Sequence, residues 1–168
     1  MKNILFLCVF AVSSTLSAQK TVYVFNYSSY NVEVGNFQSK DGNSDWPQYA
    51  SVNSQFIIPS GQSYTLSNPS LTRFPFESVN SSPYIGFWSQ QASSSSSGSA
   101  PIASYLLDLD PIANPQVFYY FKFMVKDRNG NYLGGGTLIS GEGPVVRELW
   151  QASLSINGAE SVIMILDN

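Results

Sequence analysis

The chain has 168 residues, 8 Lys+Arg against 11 Asp+Glu, no histidine and a single cysteine, giving a net charge of −3. With no imidazole, serine–histidine triads and His-ligated zinc are excluded, and an acidic chain with only 11% charged residues is a poor match for a phosphate backbone. Aromatic residues make up 14% of the chain, so contacts are expected to run through rings rather than titrating groups.

Met1-Lys2-Asn3 is a short positive start, Ile4 to Val12 an apolar run, and Ser13 to Ala18 a small and polar stretch broken only by Leu16. That tripartite order predicts a secretory signal peptide over residues 1–18, cut after Ala18 to leave Gln19 in front. The apolar run falls well short of the ~20 residues that span a bilayer as a helix. Cys8 leaves with this segment, and Leu7 is too large for a bacterial lipidation box. Removing Lys2 as well turns 8 cations into 7 against 11 acids, or −4. The product is expected to be extracellular, soluble, free of disulfides and dependent on packing alone.

The remaining residues, 19–168, read as one domain of short strands. Thr21 to Tyr27 is β-branched and aromatic, and Tyr30 to Gly35 alternates, with Ser28-Ser29 between them as a hairpin turn. Phe56-Ile57-Ile58 runs into Pro59-Ser60-Gly61 and then Gln62 to Leu66, with Pro and Gly spaced as a turn needs. Pro83 to Trp88 is a further strand, and Gln90 to Ala100 is a Ser-rich segment expected to form a mobile loop within the domain. In Val117 to Val125, the residues Val117, Tyr119, Phe121, Phe123 and Val125 form one apolar face opposite Lys122 and Lys126. Asn129-Gly130 predicts a hairpin into Tyr132 to Ser140. Val145 to Ala152, after Gly143-Pro144, fits one or two turns of helix as well as it fits a strand. Ala152, Leu154 and Ile156 alternate with serines, and Asn157-Gly158 turns the chain into Ser161 to Leu166, apolar on both faces like a central strand. About eight or nine short strands with regular turn signals predict an all-β fold, a single antiparallel β-sandwich of immunoglobulin-like or jelly-roll-like type.

The candidate sites each have a plain alternative. Asp108 and Asp110, on a strand, would share one face about 7 Å apart, a spacing that suits acid and base on a glycoside; the plain reading is a solvated strand end before Pro111. Asp127, Asn129 and Asn131, like Asp41, Asn43 and Asp45, have the one-three-five spacing of a calcium loop. Tyr132 and Leu138, or Trp46 and Val52, stand where such a loop needs Gly and Glu. Both therefore read as polar turns, and no metal or cofactor is expected. Gly134-Gly135-Gly136 lacks the Gly-Lys-Ser/Thr of a phosphate loop and reads as a bulge or a close approach. The aromatics are the most suggestive feature: Trp46, Tyr49, Phe74 and Phe76 lie in loop-like segments, Tyr84 and Trp88 share a strand face, and Trp150 lies near a turn. They are the predicted ligand-binding residues, the alternative being that they plug the ends of the core. Asn26-Tyr27-Ser28 and Asn80-Ser81-Ser82 match the N-glycosylation pattern.

Asn26-Tyr27-Ser28-Ser29-Tyr30-Asn31-Val32, Ile58-Pro59-Ser60-Gly61-Gln62-Ser63-Tyr64-Thr65-Leu66-Ser67-Asn68 and Arg73-Phe74-Pro75-Phe76, with the leader, resemble small secreted β-rich proteins of flavobacterial-type Gram-negative bacteria. The resemblance implies a bacterial exported protein and carries no activity and no functional residues with it. The expected function is a secreted, non-enzymatic binding or adhesion module for a glycan, a surface polymer or a protein, with no nucleic-acid partner. One alternative is a membrane-active, pore-forming or cytolytic toxin on a small sandwich, in which Gln90 to Leu109 rearranges at a bilayer. A second is a carboxylate-dependent polysaccharide hydrolase using Asp108 and Asp110.

Overall fold

The computed structural model describes residues 20–70, 72–137, 146–155 and 158–168, with side chains over 20–134 apart from 71, at 146 and over 161–168. The expected signal peptide and the turn residue Asn157 lie outside the described residues. Two sheets face each other across one core. The smaller contains Thr21–Asn26 (β1), Ser63–Leu66 (β5), Val146–Ser155 (β10) and Gly158–Asp167 (β11), in the order β10-β11-β1-β5. The larger contains Asn31–Asp41 (β2), Gln48–Val52 (β3), Phe56–Ile58 (β4), Phe87–Gln91 (β6), Ile102–Ala103 (β7), Gln116–Lys126 (β8) and Tyr132–Thr137 (β9). Its order is β7-β6-β3-β2-β8-β9, with β4 paired to β2 ahead of β3. The all-β sandwich is as the alternation predicts. The described residues hold eleven strands, two more than the higher expectation, because β3 and the two-residue β7 carry no apolar run to mark them.

Alternation places the core. Val22 and Val24 of β1, Tyr64 and Leu66 of β5, and Ile163 and Ile165 of β11 face Val32, Val34 and Phe37 of β2 and Phe121, Phe123 and Val125 of β8. Rings span the gap: Phe37 stacks on Tyr64 at 5.8 Å and Phe56 meets Tyr64 at 4.5 Å between centroids. β11 is central in its sheet, as its two apolar faces predict.

Three expectations are corrected and one open alternative is decided. Ser28-Ser29 is not a hairpin turn: β1 and β2 lie in different sheets, and the segment carries the chain across. The buried Asn26 side chain makes this crossover, donating from Nδ2 to Tyr30 O (2.8 Å) and Ile58 O (2.9 Å) and accepting at Oδ1 from Ser28 N and Oγ. The pairing is not wholly antiparallel, since β1 runs parallel to β11, a geometry that only strands far apart in sequence adopt readily. Residues 146–152 are strand, not helix, because β10 zips along β11 from Val146↔Asp167 to Ser155↔Gly158, and ten paired residues outweigh a weak helical spacing. The apolar face expected for β8 also changes phase. Gln38 pairs with Tyr120 and Ser39 with Phe118, so Tyr119 is an extra, bulged residue. Before the bulge, Phe118 packs on Phe37 and the buried Gln116 accepts from Ser39 Oγ at 2.9 Å.

The Asn129-Gly130 hairpin forms as expected, with Gly130 at φ +85° joining β8 to β9. The Asp127 carboxylate closes it, accepting from Asn129 N (2.8 Å), Asn131 N (2.8 Å) and Asn131 Nδ2 (2.9 Å). These bonds, led by the Asn131 side chain, hold the Asp127 carboxyl below its ordinary value. Their stabilisation is complete above the unfolded carboxyl's ~3.9 and is lost as pH falls through the lower folded value. Asp127→Asn should therefore flatten the acid limb of stability below about pH 4, followed by circular dichroism. An unchanged limb would count against this role for the turn.

Candidate functional site

The predicted ring residues divide. Tyr49, Phe74, Phe76 and Trp88 are buried, so the alternative reading, that they plug one end of the core, describes them. Phe74 and Phe76 meet the Trp88 ring edge-on at 5.7 and 5.2 Å, and Tyr49 meets Phe76 at 5.0 Å. They are hidden because the segment between β5 and β6, though loop-like, turns Phe74 and Phe76 inward against Trp88 and Tyr49 instead of projecting them. Trp46 is half-buried in the turn before β3. Tyr84 is 48% exposed and hydrogen-bonds the Glu77 carboxylate at 3.1 Å. Trp150 is the register partner of Ile163 on β10, and its side chain lies outside the described ones.

Asp108 and Asp110 are not on a strand. They follow and begin two short helices, Ser104–Leu107 (α1) and Asp110–Ala113 (α2), with Pro111 in the first turn of the second. Arg73 clamps both. Its Nε donates to Asp110 Oδ1 at 2.6 Å, its Nη1 donates to Asp108 O at 2.8 Å, and Nη1 lies 3.6 Å from Asp108 Oδ2. Asn68 Nδ2 also donates to Asp108 Oδ1 at 2.9 Å. The carboxylates tie the helices to the 68–76 segment, a structural task that occupies both. Among the described residues no group of His, Cys, Asp or Glu is placed to hold a metal ion. The Asp41 carboxylate accepts from Asn43 N at 2.7 Å, and Asp45 pairs with Lys40.

What the structure gathers on its own account is a neutral polar surface on the outer face of the larger sheet. Directly paired residues on neighbouring strands share a face. One row across β6, β3 and β2 is therefore Gln91, Gln48 and Lys40, and the next, reaching β8, is Ser89, Ala50, Gln38 and Tyr120. The bulge turns Tyr119 onto this face, where its hydroxyl lies 2.9 Å from Gln38 Oε1 and 2.8 Å from Gln48 Oε1. Gln48 Nε2 donates to Asp45 O at 3.1 Å, and Gln38 Nε2 reaches Asn36 Oδ1 at 3.5 Å, so both carbonyls are turned to the phenol. Burial, first, and the neighbouring Tyr120 and Asp45 push the Tyr119 phenol up, which keeps its proton in place as a donor. Lys40 sits over the Tyr119 ring at 5.9 Å and pairs with Asp45 at 2.7 Å.

Beside these rows is a depression of about 170 Å³, lined by Gln38, Gln48, Tyr49, Ala50, Ser89, Gln91 and Gly98. One wall is the Ser-rich loop, expected to be mobile. It folds back on β6: Ser99 N donates to Gln90 O (2.7 Å), Gln90 N to Ser99 Oγ (2.9 Å), and Gln91 Nε2 to Ser96 O (3.1 Å). Gly98 allows the close approach, since a Cβ there would come within 2.8 Å of Ser89 Oγ. A larger groove of about 460 Å³ lies at the open seam between β4 and β5. Its Tyr64 hydroxyl is spent on Pro83 O and its Ser60 hydroxyl on Ser28 O, which leaves walls such as Ile57, Pro59 and Pro83 with fewer polar groups to orient a ligand. The chain matches no protein-family model and no curated protein sequence.

The amide rows escaped the sequence reading because glutamines and serines on a strand look like ordinary solvated positions. Their only signal was period-two spacing, as in Gln38 and Lys40 or Ser89 and Gln91. That Gln48 and Ala50 of β3 join these two pairs into common rows is set by register, which no single strand records.

Proposed function

We propose that the protein is a secreted, non-enzymatic binding module that recognises a glycan or another surface polymer through the outer face of its seven-stranded sheet. The observation that carries this reading is the side-by-side setting of Gln38, Gln48 and Gln91 with Tyr119 bridging the first two. Side-chain amides offer donor and acceptor together, as polymer hydroxyl and amide groups require. A row held by a rigid sheet loses little side-chain entropy on binding. Tyr120 and Trp46 replace the buried Trp88, Phe74 and Phe76 as the rings placed to lie against a ligand. Retention on immobilised polysaccharides and on bacterial surface material tests the reading. The Gln38→Ala/Gln48→Ala double variant should lose at least tenfold in affinity, about 1.4 kcal/mol, with its circular dichroism unchanged. Equal retention of variant and parent protein would defeat the assignment.

A second reading, membrane activity, is favoured by one corner. Ser104 N donates to Gly86 O at 2.9 Å and Phe87 pairs with Ala103, which brings Tyr84 and Phe87 near α1 with its Tyr105 and Leu106. These four side chains are between 48% and 65% exposed on neighbouring segments, and exposed apolar groups mark an interaction surface where they join into one patch. No helix among the described residues is long and apolar enough to cross a membrane. Dye release from liposomes, abolished in a Tyr105→Ser/Leu106→Ser variant, would move the assignment to this corner.

A further inference from the structure

We propose that the ligand of the amide face is an uncharged, hydroxyl-rich glycan, one sugar unit of which sits in the depression between Gln38, Gln48 and Gln91; this deepens the binding-module reading and rests on it. The first ground is the lining. Amides, a serine, a phenol edge, an alanine and a glycine surround the space, and no charged side chain does. The one phenol among them, Tyr49, has its ionisation pushed up by burial and stays neutral. A carboxylate or sulfate entering here would give up its hydration without meeting an opposite charge. Lys40, next to the row, is paired with Asp45, and farther along the same face Lys126 is paired with Glu33; Lys122, exposed on that face, does not line the depression.

The second ground is a proton count. Tyr119 has one phenolic hydrogen and lies within hydrogen-bond distance of two glutamine carbonyl oxygens. The phenol donates to one carbonyl at a time, so the other keeps acceptor capacity for another donor. A sugar hydroxyl supplies that donor and can accept from a neighbouring amide in return. An anionic oxygen has only lone pairs to offer and would face a carbonyl oxygen, a repulsive contact. Tyr119 is then a positioning residue: it holds the two carbonyls together at the edge of the depression and is itself consumed in doing so. The Ser-rich loop supplies the wall at Gly98 that limits how far along the row a chain can extend.

Titration calorimetry of the folded protein separates the possibilities. The probes are neutral polysaccharides (a β-glucan, a mannan and a galactan) and anionic ones (polygalacturonate and dextran sulfate), at low and at high salt. The expected result is binding to at least one neutral polymer with less than twofold change on adding salt. Gln48→Ala and Gln91→Ala should each weaken it tenfold or more, while Lys122→Ala on the same sheet face leaves it unchanged. Tyr119→Phe should weaken it several-fold and shift the side-chain amide resonances of both Gln38 and Gln48, a signature that loss of stability alone does not produce. Binding to the anionic polymers only, falling steeply with salt, overturns this inference and leaves the binding-module reading standing. No binding to either set overturns both.

Discussion

Trp88→Ala is expected to destabilise the protein by about 3–5 kcal/mol, the cost of deleting a large buried aromatic. Trp88 is fully buried on β6 and is met edge-on by Phe74 and Phe76, with Tyr49 packed behind Phe76. Its removal leaves a cavity that three aromatic rings cannot fill without leaving their rotamers. Since a domain of this kind has roughly 5–15 kcal/mol in total, the variant should unfold at a much lower urea concentration. Trp88→Phe should cost far less, because the indole N–H is buried with no hydrogen-bond partner among the described residues and so none is lost. Urea midpoints of the two variants check the prediction. Near-equal losses would mean that the indole nitrogen has a partner, and a loss under 1 kcal/mol for alanine would mean the cluster is not core.

Asn26→Ala is expected to cost on the order of 3 kcal/mol, since each buried group left without its partner costs ~1–3 kcal/mol. The side chain serves Tyr30 O, Ile58 O and Ser28 together, and its own backbone receives Gly61 N at 2.8 Å. It thus joins β1, the crossover, β4 and the turn before β5 in one buried node. Asn26→Asp is the sharper variant: it keeps the volume but turns an acceptor towards two carbonyls, so it should be no more stable than alanine. The comparison is made by urea unfolding with the denaturant slope monitored. Aspartate retaining near-parent stability would show that Nδ2 is dispensable. The same node bears on the two glycosylation patterns. Asn26 has its amide nitrogen spent inside the fold, whereas Asn80 is exposed, so a folded chain can carry a glycan at Asn80 and not at Asn26.

Much of the architecture was legible one strand at a time. The period-two alternation in β2, the Asn129-Gly130 turn and the double-faced apolar run of residues 161–166 each have a local physical cause, and each stands in the structure as read. Errors arose wherever a partner far away in sequence decided the outcome. Tyr119 was assigned to the core face of β8 by alternation, and a one-residue bulge against Gln38 and Ser39 moved it to the outer face. Val146 to Ala152 fitted helix and strand equally, and pairing with the next strand, β11, decided for strand. Asp108 and Asp110 were placed on a strand, and Arg73, more than 30 residues earlier, took both into a helix-to-loop clamp.

By itself, the amino-acid order determined the fold class, the neutral aromatic-rich character and the chemistries that a chain without histidine cannot perform, because these depend on composition and on spacing within a few residues. Only the tertiary structure decided which rings are sealed inside and which polar side chains stand together. Burial of Trp88 and Phe76 depends on a loop folding back over them, and the meeting of Gln38, Gln48 and Gln91 depends on the register of three strands. Register and loop packing are long-range quantities, set by the pairing of hydrogen bonds and by exclusion of water across the whole core, so no stretch of the chain contains them alone.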